Sequence, residues 1–290
     1  MPRPRVQPVL DEDLDEFTAF IFEHMGGDSP AMWRTVFSRD WCAARPNYGF
    51  MLKDEERIVG AIGGIYATRT IRGKEETFCN ISCWFVLPEY RKHSLRLATA
   101  LVAQKGYHLT DFTPTKIVAD SLRFLKFAPI KSGQIQFVNI PWIGSLFSSV
   151  KVIDDRAGML GALQGPERKV LEDHLEFPWL RNVVIIDGGK ATHIVYRAIQ
   201  LPRYRCAIIL GVSDHEQFTR HGVRLRSYLA ERERILCTRV EKRFLTRAPR
   251  LGWRINRAPR KLFYSETLGA EDVDNLYSEL VSVDLPDRFF

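Results

Sequence analysis

A chain of 290 residues with 45% hydrophobic and 27% charged residues has the balance of a water-soluble globular protein, enough to bury a core without disulfides or metals. Its formal charge is +7 and its five cysteines, Cys42, Cys79, Cys83, Cys206 and Cys237, form no CxxC, which argues against a disulfide framework and for a reducing, cytoplasmic compartment. No apolar run approaches the ~20 residues of a membrane span, and the first residues lack a signal-peptide core.

In chain order, Val6–Leu10 reads as a strand. Asp11 is placed to cap a helix carrying Leu14, Phe17, Phe20, Ile21 and Met25, ended by Gly26-Gly27. Ser29-Pro30 opens a second helix with Trp33, Val36, Phe37 and Trp41 on its apolar face. Three strands follow as an antiparallel meander: Tyr48–Lys53, Ile58–Ile71 and Phe78–Val86. A helix over Ser94–Lys105, a strand over His108–Thr113 and a helix over Thr115–Phe127 complete this half. Strand, helix, strand implies a crossover and a locally parallel pair, so the sheet is mixed and the fold class is α/β.

Residues 141–183, broken by Gly, Pro and Ser, read as a connection with short helical pieces. Beyond it, VVIID, THIVYRAI and YRCAIILGV read as strands, His215–Glu231 as a helix and Ile235–Leu245 as a strand. The last helix is expected at Glu271–Leu280. The domain division expected is 1–140, a connector over 141–183, and a second α/β lobe over 184–290. Fourteen basic residues lie between Arg220 and Lys261 against three acids, Glu231, Glu233 and Glu241. Such a segment suits an anionic partner, nucleic acid included, or a solvated basic face.

The sharpest local signal is Cys83–Leu101, CWFVLPEYRKHSLRLATAL. Cations gather where a helix begins, although that end already favours negative charge. An anion bound there removes the conflict: unsatisfied helix N–H groups and the cations then act on it together. This stretch and the order of elements around it resemble the GNAT-type N-acetyltransferase superfamily over residues 5–140. Val86–Arg91, V-L-P-E-Y-R, is similar to that family's strand exit, and Arg91–Arg96 falls on its diphosphate-binding loop. The loop's two glycine positions carry Ser94 and Arg96 here.

The resemblance implies acetyl-CoA or another acyl-CoA as donor and no metal. It implies contacts from Trp84, Phe85, Val86, Arg91, Lys92, His93, Ser94, Leu95 and Arg96. It implies an amine or hydroxyl acceptor on a small molecule, saccharide or amino acid. The family's glutamate base falls at Asn80, which cannot usefully take a proton, and its tyrosine acid at Phe124, which has no hydroxyl. Asp111 is the alternative candidate base, with a turn or capping role as the competing reading. Loss of both usual proton carriers also suits a non-catalytic binding protein of the same fold. Two-lobed relatives exist among peptidoglycan-type aminoacyl transferases and polysaccharide-modifying acyltransferases, and residues 184–290 are expected to be a degenerate second lobe.

Overall fold

The computed structural model describes residues 4–144, 148–247, 252–255 and 259–290. The first half contains β1 (Arg5–Pro8), α1 (Leu14–Met25), α2 (Pro30–Phe37), β2 (Gly49–Asp54), β3 (Arg57–Ile71), β4 (Lys74–Val86), α3 (Ser94–Val102), β5 (His108–Asp111), α4 (Lys116–Phe124), β6 (Ala128–Pro129) and β7 (Gln134–Val138). The rest contains β8 (Lys151–Ile153), α5 (Arg156–Ala162), α6 (Gly165–His174), β9 (Leu180–Asp187), β10 (Lys190–Gln200), β11 (Arg205–Val212), α7 (His215–Glu231), β12 (Cys237–Glu241), β13 (Trp253–Ile255), β14 (Leu262–Tyr264) and α8 (Glu279–Ser282).

Several ends follow local chemistry. Ser29 accepts from Met32 N at 3.1 Å and opens α2, while Gly26, at φ 77°, stops α1. Asp214 accepts from Gln217 N at 2.9 Å and opens α7. Asp11 does not cap α1 as expected. A 3-10 turn over Asp11–Asp13 precedes that helix, and Asp11 instead accepts from the Tyr48 hydroxyl at 2.5 Å.

The chain forms two compact units that do not follow chain order. The first comprises residues 1–130, 260–272 and 277–283, and the second 131–259, 273–276 and 284–290. Each holds a mixed seven-stranded sheet, ordered β1-β2-β3-β4-β5-β14-β6 in the first and β8-β9-β10-β11-β12-β7-β13 in the second. The two sheets have one wiring. A short strand and two helices lead into three antiparallel strands, a crossover helix and a parallel fifth strand, closed by an antiparallel sixth. The sixth strands are exchanged: β7, made after the first half, closes the second sheet, and β14, made after the second half, closes the first.

This arrangement differs from the 1–140, 141–183 and 184–290 division. The expected connector supplies β8, α5 and α6, and Met159, Leu163 and Leu171 of its helices pack with Val184 in a buried cluster. The strand expected over Ile235–Leu245 stops at Glu241, and a 3-10 turn follows. The helix expected over Glu271–Leu280 does not form. Asn275 N donates to Leu210 O, Asp274 accepts from Leu276 N, and Tyr277 sits at φ 56°, so the segment turns rather than winds. A 3-10 turn over Ala270–Asp272 and the short α8, capped by Ser278, are the helical pieces there.

In the first unit the core lies between the sheet and α1, α2 and α3, around Phe17, Ile21, Phe37, Ile62, Ile65, Leu97 and Leu101. Gly63 is needed there: a Cβ on it would lie 2.3 Å from the Phe37 ring. The second unit packs α7 against its sheet through Phe218, Leu225, Tyr228 and Leu229.

Candidate active site

The parallel ladder between β4 and β5 is short. Phe78, Cys79 and Asn80 pair with His108, Leu109 and Thr110, and there the ladder ends. β5 stops at Asp111, whereas β4 continues to Val86. Residues 81–86 therefore lie beyond the last pairing with β5. A bulge marks the same stretch: the β3–β4 register slips between Ala61 and Gly63, and Cys83 takes φ 54°. From Val86 the chain runs into a 3-10 turn over Pro88–His93 and then α3.

The basic cluster divides by surroundings. Arg91 and Lys92 are exposed and make no ion pair among the described residues. His93 lies half-buried with Nε2 buried and unpartnered, and burial, then Lys92 and Arg96, lower its pKa and keep it neutral. Ser94 does not cap α3, because the 3-10 turn runs straight into the helix and His93 holds the N-cap position in helical geometry. Leu95 is exposed. Arg96 turns away, its Nη1 donating to Pro4 O at 2.9 Å, and so holds the approach to β1. On the strand, Phe85 stacks on His24 of α1 at 4.7 Å, Val86 is buried, and Trp84 keeps a buried, unpartnered Nε1.

At the last pair of the ladder, Asn80 is 2% exposed and donates Nδ2 to Thr110 Oγ1 at 3.1 Å. Asp111 is 5% exposed and accepts from Thr113 N at 3.2 Å, a turn-type contact. Between them lies a residue that sequence reasoning did not single out. Glu279 N donates to Asn80 Oδ1 at 3.3 Å, and Thr113 Oγ1 donates to Glu279 Oε1 at 2.9 Å. Burial, and then the Glu279 charge, push the Asp111 carboxyl well above the carboxylate range, and burial raises Glu279 too. The available sequence signal was a lone glutamate in the apolar run of Tyr277–Val283, a placement rarely tolerated without partners. Cys83 is buried and its thiol is pushed up to about 12 by burial, so it is no nucleophile at neutral pH. Phe124, at the expected tyrosine position, is 75% exposed.

The second unit has the same wiring but a filled counterpart. Its β11–β12 ladder also ends after three pairs, Cys206, Ala207 and Ile208 with Cys237, Thr238 and Arg239. Beyond that, Leu210 O is taken by Asn275 N, Leu276 covers Gly211, and the carboxylate of Asp214 occupies the N-terminus of α7. Asp214, itself paired with Lys190, puts a carboxylate at that helix end and so disfavours a second anion there.

The basic segment 220–261 is split: Arg220, Arg232, Arg234, Lys242, Arg247, Arg254 and Arg260 are exposed, whereas others are engaged within the fold. Arg226 lies over the Phe137 ring at 4.7 Å, Arg239 bonds Gln136, Arg243 bonds Glu241 and Asn275, and Lys261 is 4% exposed over Phe112. Lys242, Arg247 and Arg254 line a surface cleft of about 360 Å³. Arg250 and Arg257 lie outside the described residues. Among the described residues no cluster of His, Cys, Asp and Glu could hold a metal, and no helix is long and apolar enough to cross a membrane.

No family model and no curated protein matches the sequence. Solved structures do match in fold. A GCN5-related N-acetyltransferase from Kribbella flavida aligns with TM-score 0.58 at 14% identity, over 90% of this chain and 71% of that one. One from Anabaena variabilis aligns with TM-score 0.56 at 11% identity, over 90% and 72%. A glucosamine N-acetyltransferase region of a fungal multi-domain GH3 β-N-acetylglucosaminidase aligns with TM-score 0.55 at 13% identity, over 91% of this chain and 38% of that one. The chain has the two-lobed GNAT-type fold, with mixed, mostly antiparallel sheets and flanking helices.

Proposed function

We propose that the first unit binds an acyl-CoA between β4 and β5 and that the protein transfers its acyl group, acetyl in the simplest case, to an acceptor amine or hydroxyl. The observation that carries this reading is the ladder ending at Asn80–Thr110 while β4 runs on to Val86 and into the basic turn. An amide-bearing arm can add to such a strand edge as a further strand would, by backbone hydrogen bonds. Arg91 and Lys92, exposed and without carboxylate partners among the described residues, would meet a diphosphate at the start of α3, and His93 Nε2 is an additional unpartnered polar atom there. Arg96 is committed to Pro4 O and is left out of the cradle. The filled counterpart in the second unit supports a single donor site per chain. Free, buried cysteines suit a cytoplasmic setting.

The glucosamine N-acetyltransferase region among the matched structures makes saccharide amines such as glucosamine the first acceptors to try, with other small molecules and amino acids beside them. Two measurements test the reading. Acetyl-CoA should raise the melting temperature, and thiol should be released when an acceptor from the panel is added. No shift with any CoA ester would sink the donor assignment. A second reading, binding without turnover, is favoured by Asn80 and the exposed Phe124, neither of which carries a proton. Thiol release above the hydrolysis background refutes that reading.

A further inference from the structure

Acyl transfer to an amine requires a proton acceptor, because the ammonium form has no lone pair with which to attack. Asn80 cannot serve, since a neutral amide takes up no proton at ordinary pH. Yet Asn80 Oδ1 holds the backbone N–H of Glu279 and brings a carboxyl to the end of the β4–β5 ladder from a distant part of the chain. Glu279 is 4% exposed, its Oε1 accepts from Thr113, and its Oε2 is buried with no partner. Asp111, also buried, shares Thr113 with it: Thr113 N donates to Asp111 Oδ1 while the Thr113 hydroxyl donates to Glu279.

A purely structural tie does not account for this arrangement. The bond from Thr113 needs one neutral acceptor oxygen, which glutamine supplies as well as glutamate. Two adjacent buried carboxyls are costly and leave Oε2 unsatisfied. Like charges that close cannot both ionise, so the pair retains one proton to higher pH than either carboxyl would alone. The other groups facing the pair are the backbone N–H groups of Glu279 and Phe112 and the Lys261 ammonium, all of which favour ionised Glu279, and the neutral Cys83 thiol on the bulge. The pair sits at Asn80, where the β4–β5 ladder ends, and the basic turn follows the far end of β4. Six residues of strand put them roughly 20 Å apart at ~3.3 Å per residue. That separates diphosphate and reacting thioester by an extended arm.

Building on the acyl-transfer reading, we propose that Glu279, sharing a proton with Asp111, is the general base of the reaction and that the acceptor is a primary amine. The ionised pair takes one proton from the acceptor ammonium. The freed nitrogen attacks the thioester carbonyl, forming a C–N bond. The C–S bond then breaks, and the second nitrogen proton leaves with the thiolate to give the thiol, while the pair returns its proton to solvent. A carboxyl pair with raised proton affinity is matched to an ammonium near neutral pH, whereas an alcohol holds its proton far too tightly for it.

The test is Glu279→Gln in the full chain, which keeps the size and the acceptor for Thr113. The expected result is a kcat at least about 100-fold lower and loss of the acidic limb of the pH–rate profile. The acetyl-CoA melting shift should stay at the wild-type value. Asp111→Asn should move that limb to lower pH, and Thr113→Val, which removes only the tie, should leave it in place. Infrared titration of the unliganded protein should show a protonated buried carboxyl at neutral pH that Glu279→Gln removes. Wild-type kcat and pH profile in Glu279→Gln, or two ordinary ionised carboxyls in the infrared, overturns the proposal. If wild type binds acetyl-CoA but acylates no amine, the base assignment falls and the donor site stands; if no CoA ester binds, both fall.

Discussion

Replacing Arg91 and Lys92 together by alanine separates a ligand cradle from a solvated corner. Both side chains are exposed and neither makes an ion pair among the described residues, so the unliganded protein should lose less than about 0.5 kcal/mol. Against a bound diphosphate, each cation in so wet a place should contribute about 1 kcal/mol, the upper end for exposed pairs. Two such contacts give about 2 kcal/mol, or roughly a 30-fold rise in Kd. At acetyl-CoA equal to 100 times the wild-type Kd, ligand stabilises wild type by about 2.7 kcal/mol and the double variant by about 0.9 kcal/mol. At roughly 2 °C per kcal/mol for a chain of this size, a shift of about 5 °C should shrink to about 2 °C. Added salt should erode the wild-type shift more than the variant's. Arg96→Ala is the internal control. It loses the bond to Pro4 O, should cost about 1 kcal/mol of stability, and should leave the acetyl-CoA shift intact. Equal shifts in wild type and double variant, or an effect of Arg96→Ala larger than that of the pair, would refute the reasoning.

Two further predictions concern the frame around the site. Gly63→Ala should destabilise the first unit by about 1–3 kcal/mol, measured by denaturant unfolding, because the added methyl meets the buried Phe37 ring. In the second unit burial depresses the His193 pKa to about 3. The folded state thus keeps His193 neutral while the unfolded chain takes up a proton below about pH 6.5, so stability should fall as pH drops from 6.5 toward 3. His193→Gln should flatten that slope in chemical denaturation series, and an unchanged slope would count against it.

Much of the first half was legible because its signals are local. Ser29-Pro30, Gly26, the three alternating strands and the V-L-P-E-Y-R exit each act through neighbours in sequence, and the fold obeyed them. α7 was readable for the same reason, with Asp214 before it and an apolar stripe along it. What escaped was set by distant partners. β7 and β14 are five and three residues long, and their sheets are chosen by the strands they meet. Arg96 looked like a member of the cradle until Pro4 O claimed it. Asn80 was read as an absent base, but the carboxyl beside it arrives on a segment 199 residues later. A motif scan sees the strand position and not what folds back onto it.

The exchanged sixth strands bear on how the polypeptide leaves the ribosome. Asp111 ends β5 about 150 residues before Leu262 begins β14, the strand that covers it. At ~5–20 residues per second, β5 waits about 8–30 s as a bare edge, open to pairing with another nascent chain. The first-made half therefore cannot complete its sheet during its own synthesis, and a protein truncated before Leu262 would carry that sticky edge permanently.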